Sequence, residues 1–586
     1  MIAAASPLAA ARQTGDKSRR MPYPDILNPE LIDRIPLSAR TVLDVGCGGG
    51  ALGAEYKRRN PRARYFGIEL DPDAARLAAT RLDAVAAVNV ETDPLPFGDT
   101  LFDCILYGDV LEHLRDPWSV LGEHARQLSP EGVVIICMPN AEHWSFVERL
   151  LRGTWDYERQ GLFDATHLRW FTPETTRHAL ARAGLVACDV VPRVFDGAEA
   201  ERFANAMVPA LRALGIDPQA YLTRAAPLQH VWRARRTAPQ RLQVVSTSLP
   251  PVGGVSEVRV TEPMRALATD PAIVASVIED PDPGPRPDDI PGIFVLHRPR
   301  LVGEAGVAQL RQAMAAGHVV VCEFDDHPDY IPALQHPEVL NFTGVHAVQT
   351  TTPALAEVLR RYNPEIGVFP NAIARVPDVI NHANPGRQTL FFGGINRENE
   401  WPPYIDALNR VATLAGGRLH FSIVADRGLF DALETPHKSF TPLCDYETYQ
   451  DLLAHSEICS MPLSDTPFNR CKSDLKFIEA ASLRVTALAS PTVYAGSIAD
   501  GETGVLFRDA DEMAQRLVRL IANPDIGRAI ADAARARVLR ERMLADQVAG
   551  RIAWYRSLWA RRAELRAATA CRCWRCRWWT SPSSGR

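Results

Sequence analysis

At 586 residues the chain exceeds what one hydrophobic core supports, so several domains are expected. Apolar residues make up 46% and charged residues 23%, which excludes wholesale disorder. Lys and Arg total 65 against 70 Asp and Glu, a net charge of -5, which removes nucleic acid from the expected partners.

The N-terminal run MIAAASPLAAARQTGDKSRR places its charges after its small residues, the reverse of a secretory signal, and residues 1–22 are expected to be a flexible segment. No stretch approaches the roughly 20 apolar residues that span a bilayer. The expected location is the cytoplasm, with peripheral contact at the inner face of the membrane where an acceptor is lipid-linked. The cysteines, scattered singly through Cys471, read as reduced core thiols.

From Thr41 to Met138 short aliphatic runs (TVLDVG, RYFGIEL, CILYGDV, GVVIICM) alternate with helical segments, the pattern of βαβ units around a parallel sheet. The segment Leu43-Asp44-Val45-Gly46-Cys47-Gly48-Gly49-Gly50 is a strand entering a glycine-rich turn before a helix, where backbone can approach a ligand closely. Nineteen residues after Gly50, at the end of the next strand, stands Glu69, placed to accept from both ribose hydroxyls of a nucleoside. The turn lacks dinucleotide spacing, and Asp44 before it suits a methionine amino group, which argues against NAD.

In Asp109-Val110-Leu111-Glu112-His113-Leu114, His113 is the first candidate base for methyl transfer to oxygen, with helix capping as the competing role and His143 and His167 as substitutes. No metal is expected. An alternative sets Asp109, Glu112 and His113 around a divalent cation, since i, i+3 and i+4 share a helical face. His143, Trp144, Trp155, Arg169 and Trp170 are candidates for an acceptor pocket or for simple packing.

DVGCGGG, GIELDP and LPFGDTLFDCILYGDVLEHLRDP together resemble class I S-adenosylmethionine-dependent methyltransferases over about residues 24–190, and GLFDATHLRWFT resembles the segment that closes that domain. The resemblance implies that Asp44, Gly46, Gly48 and Gly50 hold the methionine part of S-adenosyl-L-methionine, Glu69 the ribose, and the Asn89-Val90 turn the adenine. A domain is expected over residues 23–190, followed by a helical extension and linker over 191–239.

Two further α/β blocks follow, with strand candidates GIFVLH, HVVVCEF and GVHAVQT in the first and TLFFGGIN, HFSIVAD, ICSMPL and VTALAS in the second. Two such blocks predict a cleft between similar domains. In NRCKSDLKFIEAA a helix would set Lys472, Lys476 and Glu479 on one face, where two ammonium groups beside a carboxylate suit a diphosphate joined to a ribose; a solvated salt-bridge ladder is the plainer account.

With VTALASPTVYAGSIADGETGVLF, FFGGINRENEW and VQTTTPALAEVLRRYNPEIGVFPNAI, this run resembles the GT-B glycosyltransferases near the retaining family 4, over roughly residues 240–560. That implies an acceptor domain at 240–383 and a donor domain at 384–560. It further implies Glu479 on the nucleotide ribose, Lys472, Lys476 and Arg397 on the diphosphate, and Gly253-Gly254 facing the donor. The family's second Glu, eight residues before Glu479, is replaced here by Cys471. Asp325, Asp326 and His327 are candidates for acceptor chemistry, with Asp326 as the catalytic choice, or for an ordinary loop start.

Residues 561–586 hold three of the eleven Trp, three of the eleven Cys and seven Arg, and are expected to be a disordered tail; Cys571, Cys573 and Cys576 alone supply only three metal ligands. The expected fold class is therefore α/β, a Rossmann-like methyltransferase followed by a two-domain GT-B. The expected function is a bifunctional methyltransferase and glycosyltransferase of surface-glycan synthesis, taking S-adenosylmethionine, a nucleotide-sugar, and a glycan or lipid-linked glycan acceptor. A methyltransferase with a degenerate sugar-binding module, and a non-catalytic assembly scaffold, remain open alternatives.

Overall fold

A computed structural model describes residues 27–250, 254–287, 289–380, 386–395 and 397–574. The expected flexible segment 1–22 lies outside the described residues, as do Gly253 and Cys576.

The first sheet has seven strands: β1 (Thr41–Val45), β2 (Arg64–Ile68), β3 (Ala84–Ala86), β4 (Phe102–Gly108), β5 (Leu128–Pro139), β6 (Val186–Arg193) and β7 (Gln229–Arg235), in the order β3-β2-β1-β4-β5-β7-β6. The first five are parallel; β7 is antiparallel to both β5 and β6. Near-continuous aliphatic runs suit strands buried on both faces, and separate core clusters cover the two sides of this sheet.

This corrects the boundary expected at residue 190. Two helices, Gly197–Ala213 and Pro218–Ala225, are followed by β7, which returns to the sheet and inserts between β5 and β6. Trp232 of β7 is 2% exposed in the same cluster as Phe102, Ile105 and Leu180, so truncating it would cost about 3–5 kcal/mol. The polar and Arg-rich flanks around QHVWRAR disguise a core strand as a linker.

The second sheet contains β8 (Leu242–Thr247), β9 (Ile273–Ile278), β10 (Gly292–His297), β11 (Val319–Glu323), β12 (Ala347–Thr350) and β13 (Ile366–Val368), ordered β13-β12-β11-β10-β8-β9. The third contains β14 (Gln388–Gly393), β15 (Leu419–Val424), β16 (Lys438–Thr441), β17 (Ile458–Met461), β18 (Thr486–Ala489) and β19 (Val505–Leu506), ordered β16-β15-β14-β17-β18-β19. Both are wholly parallel.

The chain end departs from expectation. The helices Val548–Ala560 and Arg562–Trp574 return to the second sheet, where Val548, Tyr555, Leu558 and Leu565 pack with Leu242 and Val244. Residues 562–574 are thus ordered rather than part of a tail, because Leu565 and Thr569 find an apolar seat among Arg substituents that read as solvent-facing.

The first unit docks on the other two. The helix Ala51–Arg59, which starts at the glycine turn, presents Glu55 to both Nε and Nη2 of Arg375 at 2.7 Å each. Arg58 exchanges bonds with Val376, accepting from its N–H at 2.7 Å and donating Nε to its carbonyl at 3.1 Å. Arg40 reaches Asp546 at 2.6 Å, and the Leu37 N–H donates to the buried Thr269 hydroxyl at 2.8 Å.

Candidate functional site

At the carboxyl end of β1 the turn closes through Gly46 and Gly48, at φ +76° and +53°. A Cβ on Gly46 would lie 2.4 Å from Val110 Cγ2, so that position needs glycine for space as well as conformation; a Cβ on Gly48 would meet nothing within 4 Å, so that side of the backbone borders open space. Gly50, at φ +81°, begins the helix Ala51–Arg59.

Glu69 follows β2 and is half-buried. Its Oε2 accepts from the Gly48 N–H at 2.8 Å and its Oε1 from the Asp71 N–H at 3.0 Å, so one carboxylate fixes both the glycine turn and the start of the next helix. Asp44 is buried, and its Oδ2 accepts from the Tyr65 hydroxyl at 3.0 Å. Burial, reinforced by the Glu69 charge, pushes its carboxyl up to about 7. Asn89 makes a tight turn in which its Oδ1 accepts from the Glu91 N–H at 3.0 Å, while Val90 packs against the core. Of the Asn89 side chain, the amide nitrogen is the end that this turn does not use.

Past β4, Asp109 adopts φ +56°, rare for a residue with a side chain, and accepts from Gln229 at 2.5 Å. Its carboxylate neighbours Glu112 but lies outside the group of possible ligands that includes Glu112 and His113. Instead a later loop brings His167 to them: one ligand-capable atom from each of Glu112, His113 and His167 lies within 4.8 Å of the others, and the two imidazoles meet edge-on at 4.8 Å between centroids. The short helix Leu111–His113 is of the 3-10 type, which sets the side chains differently from an α-helical face. Glu112 is 1% exposed; its carboxyl is held well above the usual range by burial and by neighbouring Asp109 and Asp164.

His143, offered as a substitute base, caps the helix Trp144–Arg152 through Ser145, and burial lowers it to about 4. Trp155, Phe163 and Trp170 pack on Phe146, with Trp155 and Trp170 still 37% and 39% exposed.

In the second half, Asp474 precedes the helix Leu475–Ser482 and is locked by Arg542 at 2.6 and 2.8 Å. Lys472 therefore sits in the turn before the helix, not on its face, which corrects the expected three-residue ladder. Its ammonium crosses to the other domain and pairs with Asp326 Oδ1 at 2.6 Å, while Arg298 holds Asp326 Oδ2 at 3.0 Å and Asp325 at 2.6 Å. Asp326 is thus engaged at both oxygens by cations.

Lys476 and Glu479 do share the helix. Lys476 donates to the Gly393 carbonyl at 2.6 Å, at the carboxyl end of β14; burial and repulsion by Arg397 lower it to about 8. Glu479 is 4% exposed and is raised to about 7 by burial, opposed by a hydrogen bond from the Tyr446 hydroxyl to Oε1 at 2.7 Å. Gly254 faces Tyr446 so closely that a Cβ would come within 2.4 Å of the ring. Tyr446, a residue that sequence reasoning missed, therefore links the acceptor-side glycine to the ribose candidate.

Cys471 is buried in the apolar cluster of the second sheet, and its carbonyl accepts from Thr352 at 3.0 Å. Burial raises its thiol. It serves interdomain packing where the related pattern has a carboxylate. His297, at the end of β10, is 2% exposed, with neither ring nitrogen hydrogen-bonded among the described residues.

Residues 18–189 match the family model of a methyltransferase domain, and residues 405–552 that of a glycosyl transferase-like domain. An uncharacterized methyltransferase of Mycobacterium sp. (strain JLS) is 35% identical over 97 residues, 17% of this chain and 38% of that protein. A ubiquinone biosynthesis O-methyltransferase of Alkalilimnicola ehrlichii is 33% identical over 169 residues, 27% of this chain and 66% of that protein. The chain thus spans between 38% and 66% of the length of these two curated relatives. Among solved structures, sucrose-phosphate synthase from Thermosynechococcus elongatus is 17% identical with a TM-score of 0.41, covering 55% of this chain and 100% of that one. Anabaena HepE in complex with UDP-glucose is 12% identical with a TM-score of 0.40, covering 53% of this chain and 100% of that one. The chain joins a methyltransferase domain in its N-terminal part to a glycosyl transferase-like domain in its C-terminal part.

Proposed function

We propose that the chain is a bifunctional transferase of glycan assembly, moving a methyl group from S-adenosylmethionine in one half and a sugar from a nucleotide-sugar in the other. One observation carries the reading: two separate sheets each end in a glycine-lined turn with a buried or half-buried carboxylate beside it, Glu69 against Gly48 and Glu479 near Gly393 through Lys476. Such a carboxylate at the carboxyl edge of a parallel sheet suits a ribose.

In the first half, Gly46, Gly48 and Gly50 would receive the methionine portion, with Asp44 bracing the strand beneath them, Glu69 the ribose, and Asn89 and Val90 the adenine. The acceptor hydroxyl would lie at the Glu112, His113 and His167 cluster, where its proton leaves. In the second half, Glu479 would bind the nucleotide ribose, Lys476 and Arg397 the diphosphate, and Lys472, released from Asp326, the departing charge. Gly254 lets the acceptor domain close onto Tyr446. The place of action is the cytoplasm, with glycan or lipid-linked glycan acceptors met at the inner membrane face. Among the described residues no helix is long and apolar enough to cross a membrane.

Calorimetry of the full chain with S-adenosylmethionine and with a panel of nucleotide-sugars tests this directly. Saturable binding of both donors, each unaffected by the other's site variant, supports it; binding of neither would remove it.

A further inference from the structure

We infer that Glu112, His113 and His167 form a divalent transition-metal site in the methyltransferase half, and that the ion binds and acidifies the hydroxyl to be methylated. The inference deepens the proposed methyl transfer and rests on it for the reaction, though not for the metal.

Three observations converge on these side chains. First, Glu112 is 1% exposed, and neither of its carboxylate oxygens finds a hydrogen-bonding partner among the described residues. A buried carboxylate without partners is costly, and a cation is the partner that offsets the cost most completely.

Second, both imidazoles are held from behind. His113 Nδ1 lies 2.9 Å from the Thr166 hydroxyl and 3.3 Å from the Thr166 carbonyl; that hydroxyl is in turn 2.6 Å from Asp164 Oδ1. His167 Nδ1 lies 3.3 Å from the Leu162 carbonyl. With the Thr166 hydroxyl donating to Asp164, each Nδ1 is left to act as a donor, which places the lone pair on Nε2. An imidazole oriented by a carbonyl or carboxylate at its far nitrogen is the recurrent arrangement behind metal-bound histidine.

Third, one ligand-capable atom from each residue lies within 4.8 Å of the others. Metal bonds of about 2.0–2.2 Å bring ligand atoms to within about 4.4 Å of one another, so small side-chain rotations complete the set. The loop carrying His167 is fixed to the short helix by two bonds, from the Leu168 and Arg169 N–H groups to the Glu112 carbonyl at 2.8 and 3.0 Å. The cluster is therefore preassembled across two distant stretches of sequence.

Two nitrogens and one oxygen select a borderline ion such as zinc, cobalt or iron(II) over magnesium or calcium, and three protein ligands leave positions open for substrate. The site also sits where the chemistry needs it, since Val110, two residues before Glu112, abuts Gly46 of the donor turn. The acceptor hydroxyl oxygen would coordinate the ion, and its proton would pass to water. The resulting alkoxide oxygen forms the new bond to the methyl carbon as the carbon–sulfur bond breaks, the electron pair returning to sulfur to leave a neutral thioether. The histidines then act as ligands, not as the base.

The test uses full-length protein stripped with a chelator and titrated with cobalt(II). One equivalent per chain, with visible d–d absorption of a nitrogen-ligated ion displaced by zinc, is the expected result. His167→Ala and Glu112→Gln should each weaken binding by at least about 100-fold, a ligand mattering more than the 10- to 100-fold typical of its supporting partners. Glu112→Gln keeps the volume and exchanges an unpartnered buried carboxyl for an amide, so it guards against a folding defect in the other variant. Absence of binding, or equal binding by wild type and both variants, overturns the inference. S-adenosylmethionine calorimetry on the same samples separates the two claims. Metal binding without methyl-donor binding would sink the proposed reaction and leave the site, whereas donor binding and chelator-insensitive methylation without metal would sink the site and leave the reaction.

Discussion

Replacing Glu479 by Gln should abolish most glycosyl transfer without weakening the fold. Its carboxyl rises from an ordinary 4.5 to about 7, so ionising it within the folded protein costs on the order of 3 kcal/mol more than in the unfolded chain. Because the folded group titrates above the unfolded one, the bound proton stabilises the fold at low pH. That contribution is fully present below about 4.5 and is lost as pH rises through about 7. Gln carries no such penalty, retains an oxygen for the Tyr446 hydroxyl, and should give equal or higher thermal stability at pH 8. Donor binding moves the other way: a carboxylate accepting from ribose hydroxyls contributes about 1.5–3 kcal/mol, so the variant should lose ten- to a hundredfold in nucleotide-sugar affinity. Wild-type affinity should itself fall as pH drops through about 7, where Glu479 protonates, while the variant's should not share that inflection. Calorimetric titration with a nucleotide-sugar from pH 6 to pH 9, paired with thermal melts and with methyl-transfer rates on the same preparation, reads all three. Unchanged donor affinity in the variant would refute the ribose assignment, and a large loss of melting temperature would refute the energetic argument.

Glu69→Ala should weaken S-adenosylmethionine binding at least about tenfold, because it removes both a ribose acceptor and the anchor of the Gly48 N–H; calorimetry that shows equal affinity would move the ribose elsewhere. Lys472→Met should lower the sugar-transfer rate while shifting stability by no more than about 1 kcal/mol, since the ion pair with Asp326 is partly exposed and screened. A denaturant melt with a larger loss would show that the cross-cleft pair is structural. A fragment of residues 1–238 contains all seven strands of the first sheet and should bind the methyl donor; a folded fragment that does not bind would mean that docking onto Arg375 and Thr269 shapes the pocket.

What was legible in the sequence were features whose cause is local. The glycine turn and Glu69 are tied to neighbouring strand ends, so spacing alone located them; so too the runs GIFVLH and TLFFGGIN, whose aliphatic content reflects burial on both faces. The strand β7 was hidden because its partners β5 and β6 lie 36 or more residues upstream at their nearest, from Arg193 to Gln229, and no short-range periodicity marks an antiparallel insertion. Lys472 was misplaced because helix spacing was extended across Asp474, whose pairing with Arg542, just past the end of the distant helix Pro524–Glu541, sets where the helix starts. Tyr446 and His167 acquire their places only through tertiary contact, with Glu479 and with Glu112 and His113 respectively. Their one sequence-level signal was residue type.

Between β7 and β8 the chain has only six residues, Arg236 to Arg241, which reach about 20 Å at full extension. With Glu55 clasping Arg375 and Arg40 clasping Asp546 on either side, that strand-to-strand passage acts as a weld and not as a tether. Neither half can swing an acceptor to its neighbour in the manner of a carrier arm. A glycan that receives both groups must therefore travel, either lying across the two clefts at once or letting go and docking again, and the order of the two modifications is decided by the acceptor's own length and reach.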